Sequence, residues 1–345
     1  MSPENPLGQH PHPVIIRTDF DRKKMKDYVI GIDIGGTKIA AGLFDRQGNF
    51  LAQGRLPTGS DCHPDDVVNA AAQITESLLK KAGMGREQVE GVGVGTAGHV
   101  SYETGIVLTN SNLPDWNYHP LKETLEKRLA LPVILDNDAN CAAWGEYRFG
   151  AGRGSRHMCY VTFSTGCGMG IVIDGKLYRG ATGTAGEIGH TVVNPDGPLC
   201  SCGKRGCLMS YACGMALDQM AQECIQCDED TLLKSLCGDS PQHVQAEMIA
   251  EAARQGDQAA LRMLTTAGRY FGIGLSTVVQ VLNPDRIVIG GGLAHIGPML
   301  LDPCIQALND NIHPVLRNSA RVVLSELWND AGVIGAGALT WERNP

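Results

Sequence analysis

The sequence predicts an α/β protein of two lobes built on one repeated plan, with a metal-binding loop set into the second lobe. Three observations carry this. A strand, a glycine turn and a second strand occupy residues 28–45, and the same order returns at residues 158–178, roughly one domain later. The chain has 345 residues, more than one hydrophobic core usually supports. Residues 186–207, GEIGHTVVNPDGPLCSCGKRGC, gather His190, Cys200, Cys202 and Cys207 in a short loop rich in glycine and proline.

One imidazole and three thiolates make the closed N/S shell that structural Zn²⁺ uses. Gly203 and Gly206 let the backbone fold back between the ligands. A disulfide pair, or four unrelated residues, is the competing reading; spacing and ligand types favour the metal. Glu187 lies three residues before His190. On one helical turn that spacing puts both side chains on one face.

Composition narrows the function. A net charge of -8 weighs against a nucleic-acid partner. No apolar run approaches the length of a membrane span. There are twelve cysteines, but three sit in the metal loop and no secretory signal precedes the chain, so a reduced, cytoplasmic protein is expected. The C-x-x-C of Cys224 and Cys227 lies in a polar helical region without partners and reads as coincidence.

In order along the chain, residues 1–27 are rich in proline and charge and read as a disordered tail. YVIGID ends at Asp33, Gly35-Gly36-Thr37-Lys38 turns the chain, and IAAGLFD returns it. Such a turn presents backbone N–H groups to an anion. Val67, Ala71, Ile74 and Leu78 recur at helical spacing until Gly83. VEGVGVGTAG is a buried strand entering a glycine loop, Gly95 to Gly98. A short helix follows Pro120. PVILDNDAN is a strand stopping at Asp136-Asn137-Asp138, and helical NCAAWGEYRFG follows. Polar side chains at the carboxyl end of a buried strand are where open α/β sheets place chemistry. The second hairpin turns at Ser164 to Gly170. After the metal loop, residues 214–283 are mostly helical; DRIVIGGGL is a strand ending in Gly290, Gly291 and Gly292. A helix from Gly297 to His313, a strand VVLSEL and an apolar helix from Ala331 to Trp341 close the chain. The lobes are expected at 28–136 and 137–330, with the last helix, 331–343, packing back on the first. His99, His157 and His295 have no motif around them and read as surface or loop histidines.

The segments GIDIGGTK, LDNDAN, STGCGMGIVIDGKLYRGATGTAGEIGH and CSCGKRGC together resemble the ROK family of sugar kinases, related repressors and open reading frames. The resemblance runs from Tyr28 to the C-terminus. It implies the duplicated, two-lobed actin- and hexokinase-like (ribonuclease H-like) fold. It also implies roles. Asp33, Gly35, Gly36, Thr37 and Lys38 would form the first phosphate loop of an ATP site, and Thr165, Gly166 and Gly168 the second. Gly290, Gly291 and Gly292 would line the adenosine side. Asn137 would bind sugar, with Gly98 and Asn112, and Asp138 would bind it and act as catalytic base. Glu187 and His190 would hold sugar hydroxyls, His190 also binding a structural zinc. Mg²⁺ would accompany ATP.

Read from its residue type alone, Asp138 is also a good helix N-cap. One departure stands out: the family usually carries Glu two residues after the last zinc cysteine, where this sequence has Met209. A thioether is a weak acceptor and cannot replace a carboxylate. The expectation is an ATP-dependent hexose kinase, with glucose the first choice and N-acetylmannosamine or N-acetylglucosamine the alternative. A sugar-responsive regulator needs a DNA-binding region that the proline-rich first 27 residues do not build. A pseudokinase with weak activity is the reading that Met209 motivates. A homo-oligomer is expected from the resemblance.

Overall fold

The structure is a computed structural model that describes residues 25–58, 63–110, 114–227, 230–238 and 244–342. Most of the expected tail, residues 1–24, lies outside the described residues, as does Asn112. Lys26, at the end of that expected tail, is held in place. Its backbone N–H donates to Glu90 (2.7 Å), its Nζ donates to the Val89 carbonyl (2.9 Å), and its own carbonyl accepts from Trp341 Nε1 (3.2 Å).

The first lobe runs β1 (Tyr28–Ile34), β2 (Lys38–Asp45), β3 (Phe50–Pro57), α1 (Pro64–Ala82), β4 (Val89–Thr96), β5 (His99–Ser101), β6 (Ile106–Thr109), α2 (Leu121–Leu129) and β7 (Val133–Asn137). Its sheet has the order β3-β2-β1-β4-β7, with β1 to β3 antiparallel and β4 and β7 parallel to β1. The second lobe runs α3 (Asp138–Phe149), β8 (Met158–Phe163), β9 (Cys167–Ile173), β10 (Lys176–Leu177), α4 (Gly214–Gln226), α5 (Leu233–Cys237), α6 (Ala246–Arg254), α7 (Gln258–Leu282), β11 (Arg286–Gly290), α8 (Pro298–Asn311) and β12 (Arg321–Leu324). The sheet order β10-β9-β8-β11-β12 repeats the first, antiparallel hairpin and parallel strands alike. The duplicated plan expected from the two hairpins is therefore present at the level of whole sheets.

Two elements escaped the sequence reading: β3, an edge strand whose side chains are mostly half-buried or exposed, and the short β5–β6 hairpin. The last helix, α9 (Ala331–Leu339), is apolar on all sides because it is covered on all sides. It lies on β1 and β4 and against α3. Only glycine permits that approach: a Cβ on Gly31 would stand 1.8 Å from the Val333 carbonyl oxygen, and one on Gly93 would stand 1.7 Å from that of Ala336. Among the described residues no helix is long and apolar enough to cross a membrane.

Candidate active site and metal centre

Each glycine hairpin is braced from outside its own two strands. In the β1–β2 turn, Gly35 N–H donates to the Lys38 carbonyl (3.0 Å). Thr58, just after β3, donates from its hydroxyl to the Gly35 carbonyl (2.7 Å) and from its N–H to that of Thr37 (3.1 Å). In the β8–β9 turn, Ser164 N–H donates to the Gly166 carbonyl (3.1 Å), and Gly214 at the start of α4 donates to that of Ser164 (2.8 Å). Gly291 reaches this second turn from β11. Its φ of +88° suits glycine, and a Cβ there would lie 2.4 Å from the Phe163 carbonyl oxygen. Gly292 faces open space.

Between the hairpins is a cleft lined by Asp33, Lys38 and Asp138 on one side and by Ser164, Gly291 and Gly292 on the other. Thr165 and Gly292 line an adjoining pocket with Gly214, Asp218 and Glu247. Gly168 packs beneath, 3.5 Å from Ala139 Cβ for an added Cβ. His295, read from sequence as a bland histidine, stacks on Trp328 (centroids 4.0 Å apart), and both line the cleft. Arg55 on β3 lines it too, and the sequence reading had not marked it.

Asp138 is the first residue of α3, but it is not the helix cap. Asn137 is: its Oδ1 accepts from the N–H groups of Ala139 (2.9 Å) and Asn140 (3.3 Å). The other end of Asn137 donates to the Gly98 carbonyl (3.0 Å), tying the glycine loop after β4 to the end of β7. Asp138 is thereby left free of the capping task, with one oxygen accepting from Ala139 N–H (2.8 Å). Burial pushes its carboxyl above the ordinary range, and Glu187 adds to the rise, while the backbone N–H of Ala139 opposes it. Asp33 is pushed up to about 7 by burial and then by the charge of Asp138, with Lys38 pulling the other way. Two carboxylates and one ammonium thus share a cleft of restricted water, an arrangement met at functional sites.

Glu187, Ile188, Gly189 and His190 form one tight turn. Glu187 meets His99, whose Nε2 lies 3.3 Å from its carboxylate and whose Nδ1 lies 2.8 Å from Thr109 Oγ1. His99 directly follows Gly98, and that adjacency was the only sequence signal for it. The four candidate zinc ligands converge, all their donor atoms lying within 4.8 Å of one another. Cys200 Sγ is 3.7 Å from His190 Nδ1, and Cys202 Sγ is 3.7 Å from Cys207 Sγ. A tetrahedral Zn²⁺ with Zn–S bonds of about 2.3 Å has edges of roughly 3.8 Å, so the donors fit the ion. The same separation is far beyond a disulfide bond of about 2.05 Å. Nδ1 faces the sulfurs, which leaves His190 Nε2 for another partner. Met209, in the turn just after Cys207, brings its sulfur within 3.8 Å of the position a Cβ on Gly166 would take.

The profile of the ROK family matches residues 29–343. A glucokinase of Streptomyces coelicolor is 40% identical over 323 residues, covering 92% of this chain and 98% of the relative. A glucokinase of Thermotoga maritima is 36% identical over 315 residues, covering 91% and 98%. The crystal structure of a ROK family glucokinase from Streptomyces griseus in complex with glucose and AMPPNP superposes with a TM-score of 0.79 at 39% identity, covering 91% of this chain and 99% of that one. Repeated sheets, opposed glycine turns and sequence similarity along the same span lead to one conclusion: the chain belongs to the ROK family.

Proposed function

We propose that this protein is an ATP-dependent sugar kinase that transfers the γ-phosphoryl group of ATP to the 6-hydroxyl of glucose. The observation that carries the reading is Asp138, a carboxylate at the end of a parallel strand, relieved of capping by Asn137 and opening on the cleft between the two glycine turns. Glucokinase relatives at 36% to 40% identity, and the glucose and AMPPNP held by the Streptomyces griseus protein, supply the substrate pair.

A sugar hydroxyl is a poor nucleophile until its proton leaves. In this reading Asp138 accepts that proton as the sugar oxygen bonds to the γ-phosphorus. The bond from that phosphorus to the β–γ bridging oxygen breaks, and ADP leaves with the electron pair. The raised proton affinity of Asp138 makes it a better base once ionised. Asn137, its amide fixed by the bond to Gly98 and hydrogen-bonded to the Asp138 carboxylate, would meet a sugar hydroxyl beside that base. Glu187 and His190 Nε2 would hold others, and N–H groups of the Gly35–Lys38 and Ser164–Gly166 turns would meet the phosphates. Asp33 offers the hard carboxylate oxygens that Mg²⁺ takes, and that ion would offset phosphate charge. Zn²⁺ at His190, Cys200, Cys202 and Cys207 would be structural, setting the ring of His190.

Met209 favours a second reading. An apolar side chain near Gly166, where the family carries Glu, suits a sugar with an apolar substituent, such as an N-acetylhexosamine. A cytoplasmic setting accords with the free thiols of the described cysteines, and a homo-oligomer is expected by family analogy. A coupled ADP-release assay against glucose, mannose, N-acetylglucosamine and N-acetylmannosamine tests both readings. Turnover on glucose above the N-acetyl sugars supports the first, the reverse order supports the second, and no turnover on any of them refutes both.

A further inference from the structure

We propose that Arg179 is a positioning residue that holds the Glu187–His190 turn in register with Asp138 across the two lobes. The inference rests on the kinase reading above. Arg179 follows β10, in the second lobe, yet its side chain is built into the first. Nε and one terminal nitrogen lie 2.8 Å and 2.7 Å from Asp136 Oδ2 at the end of β7, and the guanidinium sits 3.7 Å from the ring centroid of Tyr102, between β5 and β6.

Asp136 is only 3% exposed in its side chain, and every contact it makes is directed. Its other oxygen accepts from the Asn137 N–H (2.8 Å) and from Asn140 Nδ2 (2.9 Å). The cation therefore docks on the residue that also holds the backbone of Asn137, one position before Asp138. From Arg179 the chain closes a loop, with Ala185 N–H donating to the Arg179 carbonyl (3.0 Å), and a Cβ on Gly183 would lie 2.9 Å from the Val100 carbonyl of β5. Two residues after Ala185 comes Glu187.

Arg179 thus links, through a desolvated two-point contact and a stacked ring, the strand end carrying the candidate base and the loop carrying the candidate sugar ligands. A guanidinium suits this task and an ammonium does not, because the fork and the flat face are used together. A displacement of about 1 Å between reacting groups can cost about 100-fold in rate. Removing the clamp should therefore act on glucose and on turnover, while ATP, bound by the glycine turns, is spared.

The test compares Arg179→Met, Arg179→Lys and the double variant Asp136→Asn/Arg179→Met with wild type, by melting temperature and steady-state kinetics. Arg179→Met leaves a buried carboxylate unpaired and should melt early. The double variant removes that charge, while the Asn side-chain oxygen keeps both of its acceptor bonds. It should melt near wild type, yet keep a loss of about 10-fold or more in kcat and a raised KM for glucose, with KM for ATP within about 2-fold. Arg179→Lys should share the kinetic loss. If kcat and glucose KM of the double variant return to wild type along with stability, Arg179 merely neutralises Asp136 and the inference falls. If wild type has no kinase activity, the kinase reading fails on its own. Calorimetric titration of glucose into the same proteins then decides Arg179: a loss of about 10-fold in affinity in the double variant supports it, and unchanged affinity overturns it.

Discussion

Asp138→Asn separates chemistry from architecture more cleanly than the sequence suggests. The substitution leaves the cap of α3 in place, since that belongs to Asn137. The new amide oxygen can still accept from Ala139 N–H, as Asp138 does now at 2.8 Å. Losing a negative charge in the first turn of a helix costs about 0.3–1 kcal/mol. Against this, the variant relieves the desolvation of a carboxylate whose pKa is already raised, and its repulsion with Asp33 and Glu187. The two effects oppose each other, so stability should change by less than about 1 kcal/mol. Turnover is another matter: a general base is worth about 10²–10⁴ in rate, or about 2.7–5.5 kcal/mol at 1.36 kcal/mol per decade. The assay is ADP release at saturating glucose and ATP, with a thermal melt of each protein alongside. A fall in kcat of less than about 3-fold, with the fold intact, would mean that Asp138 takes no proton in the rate-limiting step.

Three further outcomes follow from the same geometry. The Asp33 carboxyl has a folded pKa of about 7 against an ordinary 3.8, so the folded state loses stability as pH rises from about 4 to about 7. Asp33→Asn should therefore be more stable than wild type at pH 8, by up to about 4 kcal/mol for a shift of about three units, and about as stable as wild type at pH 4; a variant that melts lower at pH 8 would contradict this. Purified protein should carry about one zinc per chain by elemental analysis, and stripping it should lower the melting temperature and weaken glucose binding by releasing His190; metal-free protein with an unchanged glucose KM would remove the structural role. Met209→Glu should lower KM for glucose by about 10-fold to 150-fold, the equivalent of a charged hydrogen bond worth about 1.5–3 kcal/mol; a loss on every sugar would place Met209 in a different specificity.

What the sequence could reveal was set by distance along the chain. The four candidate zinc ligands were legible as a group because all lie within one short loop, and the two hairpins because glycine turns interrupt apolar runs at similar places. β3 was not: exposure alternates along it, but an apolar Leu51 stands on the exposed face and Gly54 on the covered one, so the residue types do not follow that alternation. Asn137 and Asp138 are adjacent and both cap well, so only the backbone geometry could say which one does. Partners that meet only in three dimensions left no trace in sequence. His99 finds Glu187 and Arg179 finds Asp136, each pair joining distant parts of the chain. The surroundings of Asp138 were invisible for the same reason, because Asp33 and Glu187 reach it from different lobes.

The most direct test of the central claim is to incubate the wild-type protein with glucose and ATP and identify the products by ³¹P NMR. Glucose 6-phosphate and ADP should appear in equal amounts, at a rate that Asp138→Asn lowers at least about 100-fold. ADP formed without sugar phosphate, or sugar phosphate formed equally fast by the Asp138→Asn protein, would contradict the account.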